Sequence, residues 1–268
     1  MGSTVQVLLW AWIILDSRGF SNSLPEITDG NFTNECVREH NRARSSVRPT
    51  ARDMLYMTWD EGLAITARAW ARHCVFEHNT HLKDARRVHP TFTSVGENIW
   101  TGYPPSKFDA SRAVKLWVDE KQHYDYNRND CTKVCGHYTQ VVWARTYKVG
   151  CAAQLCPRGV RYTNFASEES VIFVCNYATA GNVVGERPYE AEGESCSGCE
   201  GTCEEKLCRS RERDSQQSYS WSPDWDTASA PRGFNYVSIL IVRPIAIIFT
   251  FITVYVVRHF YPNVFCYE

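Results

Sequence analysis

Apolar residues return at helical spacing in three stretches of the chain. Phe32, Cys36, His40, Ala43 and Val47 recur at intervals of four, four, three and four before Pro49 stops the pattern. Leu63, Ala64, Ala67, Trp70, Ala71 and Cys74 form a second stripe, behind Thr58-x-x-Glu61, a capping-box pattern. Ala110, Ala113, Val114, Trp117 and Val118 form a third, with Asp109 placed to cap its start. Two other stretches, Lys148–Cys156 and Val171–Asn176, are short and β-rich and read as strands. Helices and strands mix without a regular βαβ alternation, which predicts an α+β fold in layers.

Extending the stripes brings polar residues onto apolar faces. From Ala67, steps of four, seven and eleven reach Ala71, Cys74 and His78, which predicts His78 on the buried side at the helix's C-terminal end. From Ala113, steps of four and seven reach Trp117 and Glu120. Burying a polar group without a partner costs about 2–7 kcal/mol, so both need partners. Glu97, in "SVGENIW", is expected at a turn entering Ile99 and Trp100, and His137 heads the segment "GHYTQVVW". These are the candidate partners. Periodicity alone leaves open whether the four meet or stand as unrelated edge residues.

The rest of the chain places this domain in an oxidising compartment. Twelve cysteines in 268 residues exceed ordinary cytosolic usage. The apolar run Val7–Leu15, followed by small and polar residues, reads as a signal peptide over residues 1–22. Asn31-Phe-Thr33 is a glycosylation sequon. Val237–Val257 has the length of a membrane helix, with Pro244 able to kink it and Arg243 able to snorkel. The expected organisation is a globular domain at 31–187, a cysteine-rich hinge at 188–208, an aperiodic stalk at 209–236, the span, and a cytoplasmic tail at 258–268. That describes a single-pass type I membrane protein. A lipid-anchored form, suggested by the small residues Ala228-Ser229-Ala230, and a secreted form are the alternatives. A net charge of −1 gives nucleic acid nothing to bind.

"GHYTQVVW" (Gly136–Trp143), "GENIW" (Gly96–Trp100) and "CNYATAGN" (Cys175–Asn182) resemble the signature blocks of the CAP superfamily. That superfamily comprises cysteine-rich secretory proteins, venom antigen 5 and plant pathogenesis-related proteins. The resemblance covers roughly Phe32 to Arg187. It implies a three-layer α-β-α sandwich with a cleft holding two histidines and two glutamates, carried here by His78, Glu97, Glu120 and His137. It also implies that the His137 segment starts as a short helix and packs Val141, Val142 and Trp143 inward. The implied disulfides are Cys74–Cys156, Cys151–Cys175, Cys131–Cys135, Cys196–Cys203 and Cys199–Cys208. A zinc knuckle from Cys196-x-x-Cys199 is the alternative for the hinge. Cys36 is left as a buried thiol or an intermolecular link, and Cys266 as a reduced or palmitoylated cytosolic residue.

Two imidazoles can hold Zn²⁺ with water completing the shell, so His78 and His137 are the expected ligands of a weak, labile site. Three protein ligands are usual for catalytic zinc, and the chain has no H-E-x-x-H. A metal-dependent hydrolase in the same cleft would also need a nucleophile. Ser94 is near Glu97 in sequence, but no G-x-S-x-G elbow exists. A binding role, with an extracellular protein or a lipid or sterol as ligand, is therefore expected ahead of catalysis. Some members of the resembled superfamily bind sterols through an aromatic loop, where Trp117, Tyr124 and Tyr126 would stand. The basic stretch "HLKDARRVHP" (His81–Pro90) offers cations for sulfated glycans or anionic headgroups, or is simply a solvated loop.

Overall fold

The structure, a computed structural model, describes residues 24–226 and 243–261. It falls into two units, Met1–Asp226 and Thr227–Glu268. The signal-peptide stretch, the first part of the expected membrane span and Cys266 lie outside the described residues.

Three helices form where the apolar stripes stand. Helix α1 runs Gly30–Ser45, its first amides accepted by the Asp29 carboxylate. Helix α2 runs Glu61–Ala71 and helix α3 runs Ala110–Asp119. Asp60 caps α2 by accepting from Leu63 N–H at 2.9 Å, while Thr58 lies in a strand, so the expected Thr58–Glu61 capping box does not form. Asp109 caps α3 as expected, accepting from Arg112 N–H. A fourth helix, α4, spans Gly136–Val141.

The central sheet has the strand order β1-β5-β6-β2. Its members are β1 (Thr58–Trp59), β2 (Gly96–Gly102), β5 (Lys148–Cys156) and β6 (Ser170–Ala178). The hairpin β3 (Tyr124–Asp125) and β4 (Asp130–Cys131) lies between α3 and α4 in the chain. Strand β6 is buried along its whole length, and its residues alternate between two cores. Phe173, Cys175 and Tyr177 face α1, α3 and α4, while Ile172 and Val174 face α2. The sheet is thus the middle layer of three.

Cross-links and one arginine hold the layers. Cys151 and Cys175 stand opposite each other on β5 and β6 and are bonded. Cys74–Cys156 ties the chain beyond α2 to the end of β5, and Cys131–Cys135 closes a short loop before α4. Arg44 of α1 is buried and donates six hydrogen bonds, 2.6–3.0 Å long, to the carbonyls of Leu55, Val141, Trp143, Ala144 and Thr146. Burial pushes its guanidinium down to about 9, still charged at neutral pH. It satisfies the carbonyls of a turn that has no ladder of its own.

The hinge is joined to the domain rather than hanging from it. Strands β7 (Thr202–Glu204) and β8 (Leu207–Arg209) pair, and the disulfides are Cys196–Cys203 and Cys199–Cys208. Cys208 exchanges backbone hydrogen bonds with Met54 and Tyr56 at 2.8 and 3.0 Å. Among the described residues, Cys36 is a buried free thiol.

The expected stalk is corrected over residues 209–226. Residues 209–226 belong to the same unit as the domain and pack on it. Lys148 Nζ donates to Ser215 O at 2.6 Å, Tyr219 OH donates to Asp60, and Trp225 Nε1 donates to Arg87 O. The aromatic residues read as linker composition are the anchors. In the second unit, helix α5 covers Arg243–Phe260, and the part of the expected span Val237–Val257 before Arg243 lies outside the described residues. No helix among the described residues is long and apolar enough to cross a membrane.

Candidate functional site

His78, Glu97, Glu120 and His137 stand as two histidine–glutamate pairs. His78 Nδ1 and Glu97 Oε1 are 2.9 Å apart, and Asn79 N–H donates to the same oxygen at 2.9 Å. His137 Nδ1 and Glu120 Oε1 are 2.7 Å apart, and Glu120 Oε2 accepts from the N–H groups of His137 and Tyr138 at 3.0 and 3.3 Å. Glu120 therefore also caps the start of α4.

Two expectations about these residues are corrected. Helix α2 stops at Ala71 and Cys74 takes a positive φ of 49°, so His78 sits on a loop with its side chain 65% exposed, not on a buried helical face. The disulfide to Cys156, not helical continuity, carries the chain there. Glu97 lies in β2 and not in a turn, and its side chain is fully buried. Gly96 precedes it because a Cβ at that point would run into the Gln140 side chain, which accepts from Gly181 N–H. Glu120 follows α3 as its C-cap residue.

One edge strand ties the pairs together. Neighbours in a strand point to opposite faces, and their Cα atoms are about 3.8 Å apart. Glu97 and Ile99 face the α2 layer, where His78 is bonded; Asn98 and Trp100 face the other. Asn98 Nδ2 donates to His137 O at 3.1 Å and to Tyr177 OH at 3.2 Å. Successive residues of β2 thus hold the two histidine segments.

Behind His137 lies a hydrogen-bond chain that spacing did not reveal. His40 Nδ1 sits 2.7 Å from the Cys36 carbonyl, which only accepts, so Nδ1 carries the proton. Nε2 then accepts from Tyr177 OH at 2.8 Å. Burial pushes the His40 ring down to about 4, keeping it neutral. The signal for Tyr177 was its place in "CNYATAGN", two residues from Cys175 and so on the same face.

The carboxylates fix which ring nitrogen of each histidine carries the proton. An ionised carboxylate only accepts, so in each neutral imidazole the proton sits on Nδ1 and the lone pair on Nε2. His137 is further held by stacking on Trp117, with ring centroids 6.3 Å apart and planes 11° apart. The hydrogen bond His78 donates to Glu97 pushes the His78 pKa up, against the lowering effect of partial burial. Burial pushes the Glu97 carboxyl up, against the pull of His78 and Asn79 N–H, and its Oε2 has no hydrogen-bond partner among the described residues.

Other candidates fall away from this site. Ser94 Oγ accepts from Ala180 N–H at 3.3 Å, and no hydrogen bond joins it to either histidine. Trp117 is buried in the core; Tyr124 OH donates to Asn129 and Tyr126 OH to Tyr189 O, so the expected aromatic loop is packed. In the basic stretch, His89 is buried and Arg87 pairs with Asp224. Cys196, Cys199 and Cys208 bring three sulfurs within 4.8 Å of one another, but all are in disulfides, which corrects the zinc-knuckle alternative. The four cleft residues do not bring three ligand atoms within that distance. Shallow, open depressions of about 280 and 220 Å³ lie elsewhere, near Glu190 and beside exposed Asn31.

The model of the cysteine-rich secretory protein family (CAP) matches residues 37–177, more than half of the chain. The chain belongs to this family. GLIPR1-like protein 1 of Bos taurus is 50% identical over 201 residues, covering 74% of this chain and 80% of the relative. Glioma pathogenesis-related protein 1 of Mus musculus is 42% identical over 263 residues, covering 96% of each. Among solved CAP structures, NaASP2 with Zn²⁺ is 28% identical with a TM-score of 0.52, covering 70% of this chain and 98% of that one. The CAP fold here is the α+β sandwich described above, with its five disulfides.

Proposed function

We propose that the chain is an extracellular, membrane-tethered binding module whose cleft holds a divalent metal weakly through His78 and His137. The observation that carries this reading is the matched pair of Nδ1–carboxylate bonds. Each leaves an Nε2 lone pair in the ligand form and orients its ring. Glu97 and Glu120 act as orienting partners. A bound ion would supply an electrophilic point for a donor group on a protein or lipid ligand. A solved structure of NaASP2 with Zn²⁺ supports the choice of ion. The hydrolase alternative lacks a positioned nucleophile, since Ser94 is turned to Ala180 N–H. The tether would be the apolar segment Val237–Val257, and helix α5 supplies exposed large apolar residues such as Phe249 and Phe251.

Titration calorimetry with Zn²⁺ tests the site. Wild type should bind one ion, with affinity well below that of a four-ligand structural site, and His78→Ala and His137→Ala should each weaken binding at least tenfold. Binding should fade as pH drops through and somewhat above 6.5, because Glu97 favours the protonated form of His78. Undiminished binding in either single variant would end the shared-site reading. Deleting residues 236–268 should release the protein into the medium; retention on cells would contradict the tether.

A further inference from the structure

The segment Ser215–Asp226 lies on the domain as a bound peptide would. It has no helix or strand, and between Gln216 and Trp225 its backbone makes no backbone hydrogen bond to the rest of the domain. Side chains do the holding. Tyr219 OH donates to Asp60 at 2.9 Å, its ring meets His89 edge-on, and Ser218 Oγ donates to Glu61 at 2.8 Å. Pro223 is buried. Trp225 stacks on His81 with ring centroids 4.8 Å apart, stands edge-on to Trp70, and donates from its indole N–H to Arg87 O at 2.8 Å.

Charge follows the same scheme. Asp224 pairs with Arg87 at 3.1 Å and Asp226 with Arg72 at 2.8 Å. The basic stretch His81–Pro90, an anion-site candidate in the sequence, is thus partly answered by Asp224 of the same chain, while Asp226, beyond Trp225, answers Arg72 at the end of α2. The surface beneath is framed by α2, its Asp60 cap and the loop to His89. These belong to the part of the chain the family model matches, whereas the segment lies beyond that match.

We propose that this surface is a peptide-docking groove and that Ser215–Asp226 is its internal ligand. The external partner it fits is an extended acidic peptide with a tyrosine or tryptophan near its start and an Asp-Trp-Asp end. Side-chain anchoring without ladder bonds makes the occupant exchangeable. The tethered copy competes at an effective concentration on the order of millimolar, so a partner gains access when the strap is released.

The test uses the full chain with its strap anchors removed, Tyr219→Ala/Trp225→Ala/Asp226→Asn, and a fluorescein-labelled peptide copying residues 215–226. Anisotropy should show saturable binding to this variant at least tenfold tighter than to wild type. Replacing the peptide's own Trp225 by alanine should abolish it, and adding Arg87→Ala to the protein should weaken it several-fold. Intact disulfides by mass spectrometry and an unchanged far-ultraviolet spectrum guard against misfolding; if the triple variant fails them, Arg72→Ala/Arg87→Ala in the full chain replaces it, with faster tryptic cleavage after Arg211 and Arg213 expected. Absence of saturable binding, or equal binding of the two peptides, overturns the proposal. So does a wild-type dimer by sedimentation that is lost on Trp225→Ala, because a second copy's strap would then be the occupant.

Discussion

The two histidines of the cleft are held by different means. His137 is packed against the core: its ring stacks on buried Trp117, its backbone oxygen is bonded by Asn98, and its side chain is 28% exposed. His78 stands on a loop beyond α2, and its fixed points are a disulfide four residues before it and a buried carboxylate. Both rings reach the same chemical state by opposite routes, packing in one case and a covalent staple with a single polar bond in the other. Damage to the core should therefore be felt at His137, and damage to the staple at His78.

The largest break is expected on the packed side. Arg44→Met removes the side-chain donors from five carbonyls; those of Trp143 and Ala144 keep the N–H groups of Thr146 and Leu55, whereas those of Leu55, Val141 and Thr146 lose the guanidinium. A loss of about 3–5 kcal/mol should appear in urea unfolding. If the variant unfolds at the wild-type midpoint, water replaces the guanidinium at no cost and the packed wall is misread.

Opening the staple should cost a comparable amount but act locally. Cys74→Ala/Cys156→Ala frees a separation of 82 residues, for which chain entropy gives about 4.5 kcal/mol. Hydrogen exchange should speed up at residues 75–89 and stay slow at 138–144. Equal acceleration in both stretches would erase the contrast between the walls.

A pH series sharpens the packed side alone. His40 has a folded pKa of about 4 against an ordinary 6.5, so the unfolded chain takes up the proton first. Its contribution is fully present above pH 6.5, falls as pH drops, and is gone below about 4. The total is about 3 kcal/mol, at about 1.4 kcal/mol per pH unit. Urea midpoints for wild type and His40→Gln should converge over that window; parallel curves would contradict the assignment.

The smallest effect probes the single polar bond of the loop side. Glu97→Gln keeps the shape but loses the charge that orients His78. Zn²⁺ affinity should fall about tenfold, and its pH dependence should move to lower pH. An unchanged pH profile would mean that Glu97 does not set the state of the ring.

What was legible in the sequence follows from how each feature is encoded. Stripes and strands are local: α3 behind Asp109 and β5 over Lys148–Cys156 stand where period and composition place them. His78 was misplaced because a period extends indefinitely on paper, whereas the helix ends at Ala71 and Cys74 turns the chain through a positive φ. β2 was missed because its start, Gly-Glu-Asn, is polar and turn-like; the strand forms because β6 offers it seven paired positions. Arg44 carries no local signal, since its partners lie 11 to 102 residues away. The strap misled for a related reason: serine, proline and tryptophan without period look like linker until a surface with matching charge and aromatic rings is present.

That strap also decides how the domain would bear load. Tension applied to the chain beyond Asp226 enters through a ribbon fastened by separate side-chain contacts, which yield one after another. The sheet behind it is closed covalently between Cys151 and Cys175. A modest pull would therefore lengthen the molecule by peeling off residues 215–226 well before the sandwich felt any shear, making the strap a mechanical fuse for the fold.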